Sequence, residues 1–247
     1  MPPSLNDYKE IEQTQTNACG AFALAAALHG LGYPVTTVHN IDRLDLASLT
    51  GYNQNTPITI SLKTDFAELL YKGTGNLTLT PLTATYTYNH DPMNSPSGLV
   101  SMASSFSTEA LDISVSIVAG SVAMVVFTAM TVTNLTSNPV LYNKDKALAE
   151  SINCSKRGAG GVITKEKVSV DGTLHHYTPP APGEFQLLLV SPAAGGGPNH
   201  WITIDQSDYY DPGTGTVAPH GYTLTNPHFN FGGTYTFSEL WISLKKP

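Results

Sequence analysis

Between residues 19 and 29 almost every position is Ala, Leu or Phe, and no polar residue recurs at the helical period. A helix with no polar face has no side to offer water, so the pattern predicts a helix enclosed on all sides. Gly30 and Gly32 stop it, with Pro34 just beyond. Residues 65–71 predict a short second helix, ended by the Gly-rich run 72–75. Residues 76–88 alternate Leu, Thr and Tyr and predict a strand or strand pair broken at Pro81; 89–98 is a loop by its Pro, Asn and Ser content. Further helices are expected over 99–111 and 144–153. Strands are expected over 162–170, 185–190, 201–204, 222–224 and 233–237, separated by Pro/Gly-rich turns. The sum is an α+β chain with a helical start, a β-rich remainder and no internal repeat.

The chain has 247 residues with 41% apolar content, enough for one domain (1–247) with its own core. The Thr-rich stretch 73–143 contains no Lys or Arg and is expected to form an insertion or lid. Net charge is −7 and no basic stripe is present, which argues against nucleic acid as a partner. Half of the basic residues fall between Lys144 and Lys167, but acidic residues interrupt them, as on a solvated face. The 20 uncharged residues 113–132 have the length of a membrane span, yet Ile113, Val115 and Ile117 alternate with Ser, so strands are expected instead. The first ten residues are polar, so no secretory signal is read. That leaves the compartment open, cytoplasmic or exported by a non-classical route. The sequons at Asn76, Asn134 and Asn153 carry little weight in a Thr-rich chain.

Only two cysteines are present, Cys19 and Cys154, so a disulfide framework is excluded and a single bridge is the competing explanation. No Cys-x-x-Cys or His pair has zinc-ligand spacing, and the adjacent His175 and His176 would point apart on a strand. Cys19 sits at the start of the enclosed helix. If Asn17 caps that helix, Cys19 is its second residue, where unpaired N–H groups and the helix dipole favour a thiolate. A small buried apolar cysteine is the plainer alternative. Gln13, six residues earlier, can fold its amide back toward the sulfur and donate to an oxyanion together with the Cys19 N–H. Gln15 is a rival that spacing does not exclude. Near the other end, His200 opens an alternating strand on which His200, Ile202 and Ile204 share one face and Trp201, Thr203 and Asp205 the other. Asp205 is therefore poorly placed to orient His200. Asp211, beyond the break at Gln206-Ser207-Asp208, would lie on the paired strand within reach of an imidazole nitrogen. Thiol, imidazole and carboxylate then form a nucleophile, a base and an orienting group.

Gln13, the Cys19-Gly20 pair opening a helix, the His200-Trp201 strand and the turn Tyr210-Asp211-Pro212 together resemble the papain-like cysteine peptidases. Among these they are most similar to the bacteriocin-leader-processing branch and its stand-alone bacterial relatives. The closing Phe237-Ser238-Glu239-Leu240-Trp241 is similar to that family's ending on a short aromatic helix and strand. The resemblance covers about 13–31 and 185–244, while most of 42–182 matches nothing recognisable. It implies a papain-like cysteine proteinase fold, with a buried catalytic helix packed on a C-terminal antiparallel sheet. It also implies a Cys19/His200/Asp211 triad, Gln13 in the oxyanion hole, no cofactor, and cleavage of a peptide or protein substrate through an acyl-thioester. The chain lacks the transporter segments of the leader-processing enzymes, so their double-glycine specificity is not carried over. The same triad also serves acyl transfer and deamidation, and a non-catalytic binding domain with a buried Cys19 stays open beside them.

Overall fold

The computed structural model of the chain describes residues 3–16, 18–36, 38–40, 57–73, 76–80, 85–89, 99, 103, 111–118, 167–174, 176–195 and 199–247. The apolar run forms helix α1, Cys19–Gly30, in which every residue from Cys19 to Leu28 is buried. It ends as the glycines predict. Tyr33 N–H donates to Leu28 O at 3.0 Å and Gly32 N–H to His29 O at 2.7 Å, while Gly32 takes φ 79°. This paired closure needs a left-handed residue after the cap, and glycine takes that conformation without strain.

Helix α2, Lys63–Gly73, packs against α1 and closes one of its sides. The other side meets a seven-stranded sheet. In chain order its members are β5 (Asp112–Val118), β6 (Lys167–Leu174), β7 (Glu184–Pro192), β8 (His200–Ile204), β9 (Asp208–Asp211), β10 (Thr216–Pro219) and β11 (Tyr235–Lys245). Their spatial order is β10-β9-β8-β7-β11-β5-β6, with six strands antiparallel and β6 added parallel to β5. Two small hairpins stand apart from it: β1 (Val38–Asn40) with β2 (Pro57–Thr59), and β3 (Asn76–Thr80) with β4 (Thr85–Asn89).

Each face of the sheet carries its own apolar layer. Leu187, Leu189, Trp201 and Tyr210 join α1 and α2 in the larger core, while Leu188, Val190, Ile202, Ile204, Tyr209, Phe231 and Trp241 form the second. Because both faces are covered, β8 is buried along its whole length. Helix and sheet are pinned together by the buried Thr203 hydroxyl, which donates to Ala23 O at 2.6 Å.

Contact is tightest at Gly30. A Cβ built there would lie 2.2 Å from the ring of buried Phe185 on β7, far inside van der Waals contact. Gly30→Ala is therefore expected to destabilise the fold by about 1–2 kcal/mol, because overpacking outweighs the gain in helix propensity. Denaturant midpoints check this. Combining it with Phe185→Leu should recover part of the loss, and a Gly30→Ala protein as stable as the parent would refute the close approach.

The chain departs from sequence expectation at several points. Residues 222–224 are not a strand: Thr223 and Asn226 exchange backbone hydrogen bonds in a tight turn that leaves Leu224 84% exposed at its tip. No helix occurs at 237–241. That stretch continues β11 through an irregularity opposite β7, where Glu239 takes φ 63°, and the ladder resumes at Trp241. The strand expected at 162–170 is described from Lys167 and runs on to Leu174. Within the expected insertion 73–143, β5 belongs to the main sheet, with Ile113 and Val115 in the core. Leu99 and Ala103 are helical and buried. Leu111, at the end of the helix expected over 99–111, is buried but not helical. Most of that insertion lies outside the described residues, as do 100–102 and 104–110 of that expected helix, the helix expected at 144–153, Cys154, His175, Asn134 and Asn153.

Candidate active site

The antiparallel order brings separate parts of the chain to one end of the sheet. His200 opens β8, Asp211 closes β9, and Tyr235 opens β11 opposite Pro192 at the end of β7. Alternation puts His200 on the face of Ile202 and Ile204, and Asp211 on that of Tyr209, which is the face opposite α1. Cys19 belongs to α1 on the other face but is its first residue, so it meets His200 at the end of the sheet.

The segment ahead of α1 is strapped onto the same end. Glu10 N–H donates to Gly215 O at 2.8 Å, Gln13 N–H to Pro212 O at 2.8 Å, and the Tyr210 hydroxyl to Ile11 O at 2.8 Å. The crossing is close, since a Cβ on Gly215 would lie 3.0 Å from the backbone of Glu10. Gln13 is thereby anchored beside the Asp211 turn, with its Oε1 buried and lacking a hydrogen-bond partner among the described residues. Gln15 is exposed.

Helix α1 starts one residue later than the capping argument supposes. Its first closing bond runs from Phe22 N–H to Ala18 O at 3.1 Å, so Ala18 holds the cap position and no side chain caps it. Asn17 lies outside the described residues. The shift makes Cys19 the first helical residue, whose own N–H has no acceptor within the helix. The side chain itself is enclosed, with Cys19 only 2% exposed.

Asp211 is buried, and each of its oxygens is engaged. His200 Nε2–H donates to Oδ1 at 2.7 Å, Gly213 N–H donates to the same oxygen at 2.8 Å, and the Thr214 hydroxyl donates to Oδ2 at 3.0 Å. Burial alone would raise the carboxyl's pKa, but the hydrogen bond and charge of His200, with the Gly213 and Thr214 donors, hold it below the usual carboxylate range. For His200 burial alone would favour the neutral ring. Hydrogen bonds to Asp211 and to Cys19, and the charges of both, overcome this and push its pKa up to about 9. Since Nε2 is committed to Asp211, Nδ1 is the nitrogen left for the sulfur. His200 contributes its full stability below about pH 6.5 and loses it as pH rises through about 9, whereas Asp211 contributes above its ordinary range and loses it in acid below that range.

Asp205 does different work. Its Oδ1 accepts from Ser207 N–H at 2.9 Å and Asp208 N–H at 2.8 Å, closing the turn between β8 and β9. Among the described residues no cluster of His, Cys, Asp or Glu could hold a metal ion, and no helix is long and apolar enough to cross a membrane.

Compared with known protein families, the chain matches the one described as Invasion plasmid antigen J, cysteine protease, over residues 11–247. The chain belongs to this family. As a member of the IpaJ family it is a cysteine protease, a hydrolase whose substrates are peptides or proteins. No curated protein and no solved structure matches it. The IpaJ match begins just ahead of Gln13, inside the strap that crosses the Asp211 turn.

Sequence reasoning missed three groups around the His–Asp pair. Gly213 and Thr214 were legible in principle, because Asp-Pro-Gly-Thr is a turn whose leading carboxylate accepts hydrogen bonds from residues just after it. Tyr235 lies flat on His200, with ring centroids 4.8 Å apart and planes 18° apart. No local signal announces it, since β11 is brought alongside only by the sheet order.

Proposed function

We propose that the chain is a papain-like cysteine peptidase in which Cys19 is the nucleophile, His200 the proton carrier and Asp211 the group that orients His200. The arrangement that carries this reading is His200 held between a buried, doubly anchored carboxylate at Nε2 and the Cys19 thiol. An enclosed helix whose first residue is the thiol, packed on an antiparallel sheet whose strand ends supply imidazole and carboxylate, supports the papain-like fold.

In this reading Cys19 Sγ attacks the scissile carbonyl carbon as a thiolate paired with the His200 imidazolium. The carbonyl π electrons move to oxygen, and the Cys19 N–H with the Gln13 amide stabilises that charge. As the carbon–nitrogen bond breaks, His200 gives its Nδ1 proton to the departing amine, leaving an acyl-thioester. His200 then takes a proton from water, the hydroxide attacks the thioester, and the thiolate leaves. Asp211 keeps one tautomer in place throughout. Gln13 is favoured over Gln15 because its backbone is fixed beside the Asp211 turn while Gln15 is exposed.

Iodoacetamide labelling with peptide mapping, to separate Cys19 from Cys154, tests the pair. Cys19 is expected to react at pH 6 at least about tenfold faster than an ordinary thiol, which is almost wholly protonated there. His200→Ala should remove that advantage. A Cys19 that stays unlabelled until the protein unfolds would sink the reading and return the thiol to the core.

A further inference from the structure

We infer that Tyr235 is a positioning residue for the peptidase reaction: its ring, stacked on the imidazole of His200, fixes the ring plane and favours the protonated form that the leaving amine needs. The inference rests on the proposed role of His200 and extends it to a residue on a different strand.

The geometry is specific. Hydrogen bonds to Asp211 at Nε2 and to Cys19 on the other nitrogen fix two points of the ring and leave the imidazole free to turn about the line joining them. Tyr235 supplies a plane, 18° from parallel at 4.8 Å. Gly213 lies near the same ring without filling the space beside it: a Cβ there would come to ordinary contact, 3.4 Å from His200 Cε1 and 3.6 Å from Nε2. Held by the Tyr235 face and by Asp211, the imidazole keeps Nδ1 directed at Cys19.

The ring also acts through its charge distribution. The face of an aromatic carries partial negative charge and attracts a cation within about 6 Å, more strongly when water is excluded. His200 is buried, so the attraction is weakly screened. Burial and the nearby charges of Asp211 and Cys19 push the Tyr235 hydroxyl up to about 12, so the ring stays a neutral phenol across the working range. Tyr235 itself is only half-buried, and its place in the sheet comes from backbone pairing with Pro192. Its replacement should therefore leave the fold in place.

The test compares the full-length parent with Tyr235→Phe and Tyr235→Leu. The His200 ring titration is followed by NMR, and kcat/KM on a peptide substrate is followed against pH. Phe keeps the ring and removes the hydroxyl, whereas Leu keeps apolar volume and removes the ring. The expected result is a parent-like Phe variant. In the Leu variant, the His200 titration and the basic limb of kcat/KM should move to lower pH by about half a unit or more. Its kcat/KM at pH 8.5 should fall about twofold or more, the titration and the lost orientation acting together, with KM little changed. A Leu variant whose His200 titrates with the parent would overturn the inference, and so would a Phe variant that shifts as far as Leu. Cys19→Ala, measured alongside, separates this from failure of the site itself. If that variant kept its activity the proposed nucleophile would be wrong, while the NMR comparison would still decide whether the stack holds His200.

Discussion

Replacing Cys19 with Ala is expected to remove peptide hydrolysis to background, a loss of at least about 10⁴-fold, with the fold intact. No neighbouring group can substitute for the sulfur in forming the acyl-enzyme, so the loss should fall on kcat rather than KM. The fold should survive because Ala suits an Ala-rich buried helix and removes only one heavy atom at its first turn. Asp211 remains to compensate His200, so no buried charge is stranded. Steady-state assay together with thermal unfolding reads both halves. Unchanged hydrolysis would exclude Cys19 as nucleophile, and a protein that no longer folds would mark it as core.

Asp211→Asn should lower kcat/KM by about 10²–10³-fold, because the amide leaves the hydrogen-bond geometry nearly intact while removing the negative charge that holds His200 protonated up to about pH 9. Its basic limb should move toward neutral pH, since the Asp211 hydrogen bond is the largest contribution favouring the imidazolium and a neutral amide oxygen accepts it more weakly than a carboxylate. Asp205→Asn is the matched control. Its carboxylate serves only the turn between β8 and β9 among its described contacts, so activity should stay within a few-fold while stability drops by about 1 kcal/mol. A pH–rate profile on both variants decides between the two carboxylates. Greater damage from Asp205→Asn would reverse the assignment.

Local regularity explains how much of this could be read from the chain alone. The absence of any polar face between Cys19 and Leu28 admits one solution, an enclosed helix, because an exposed one would leave apolar surface in water on every side. Strand alternation alone separates His200 from Asp205, since side chains five residues apart on one strand face opposite ways. Such arguments stop at the strand's end. That Tyr235 lies on His200 depends on β7 pairing with both β8 and β11, which no window of sequence contains. Apolar content misled at Tyr222 and Leu224, where a turn built on Thr223 and Asn226 overrides strand propensity. At Glu239 a single left-handed residue lets the ladder skip and resume, so aromatic positions that resemble a helix turn are absorbed into one long strand.

The place of β11 bears on how the sheet assembles. Last in chain order among the described strands, it nevertheless lies between β7 and β5, with Trp241, Ile242 and Leu244 packed in the sheet's two layers. Strands β7, β8, β9 and β10 pair with one another and β5 pairs with β6, but these two groups are joined only when β11 enters between them. Joining them brings together segments far apart in the chain, so entry of β11 is expected to be a late and slow step of folding.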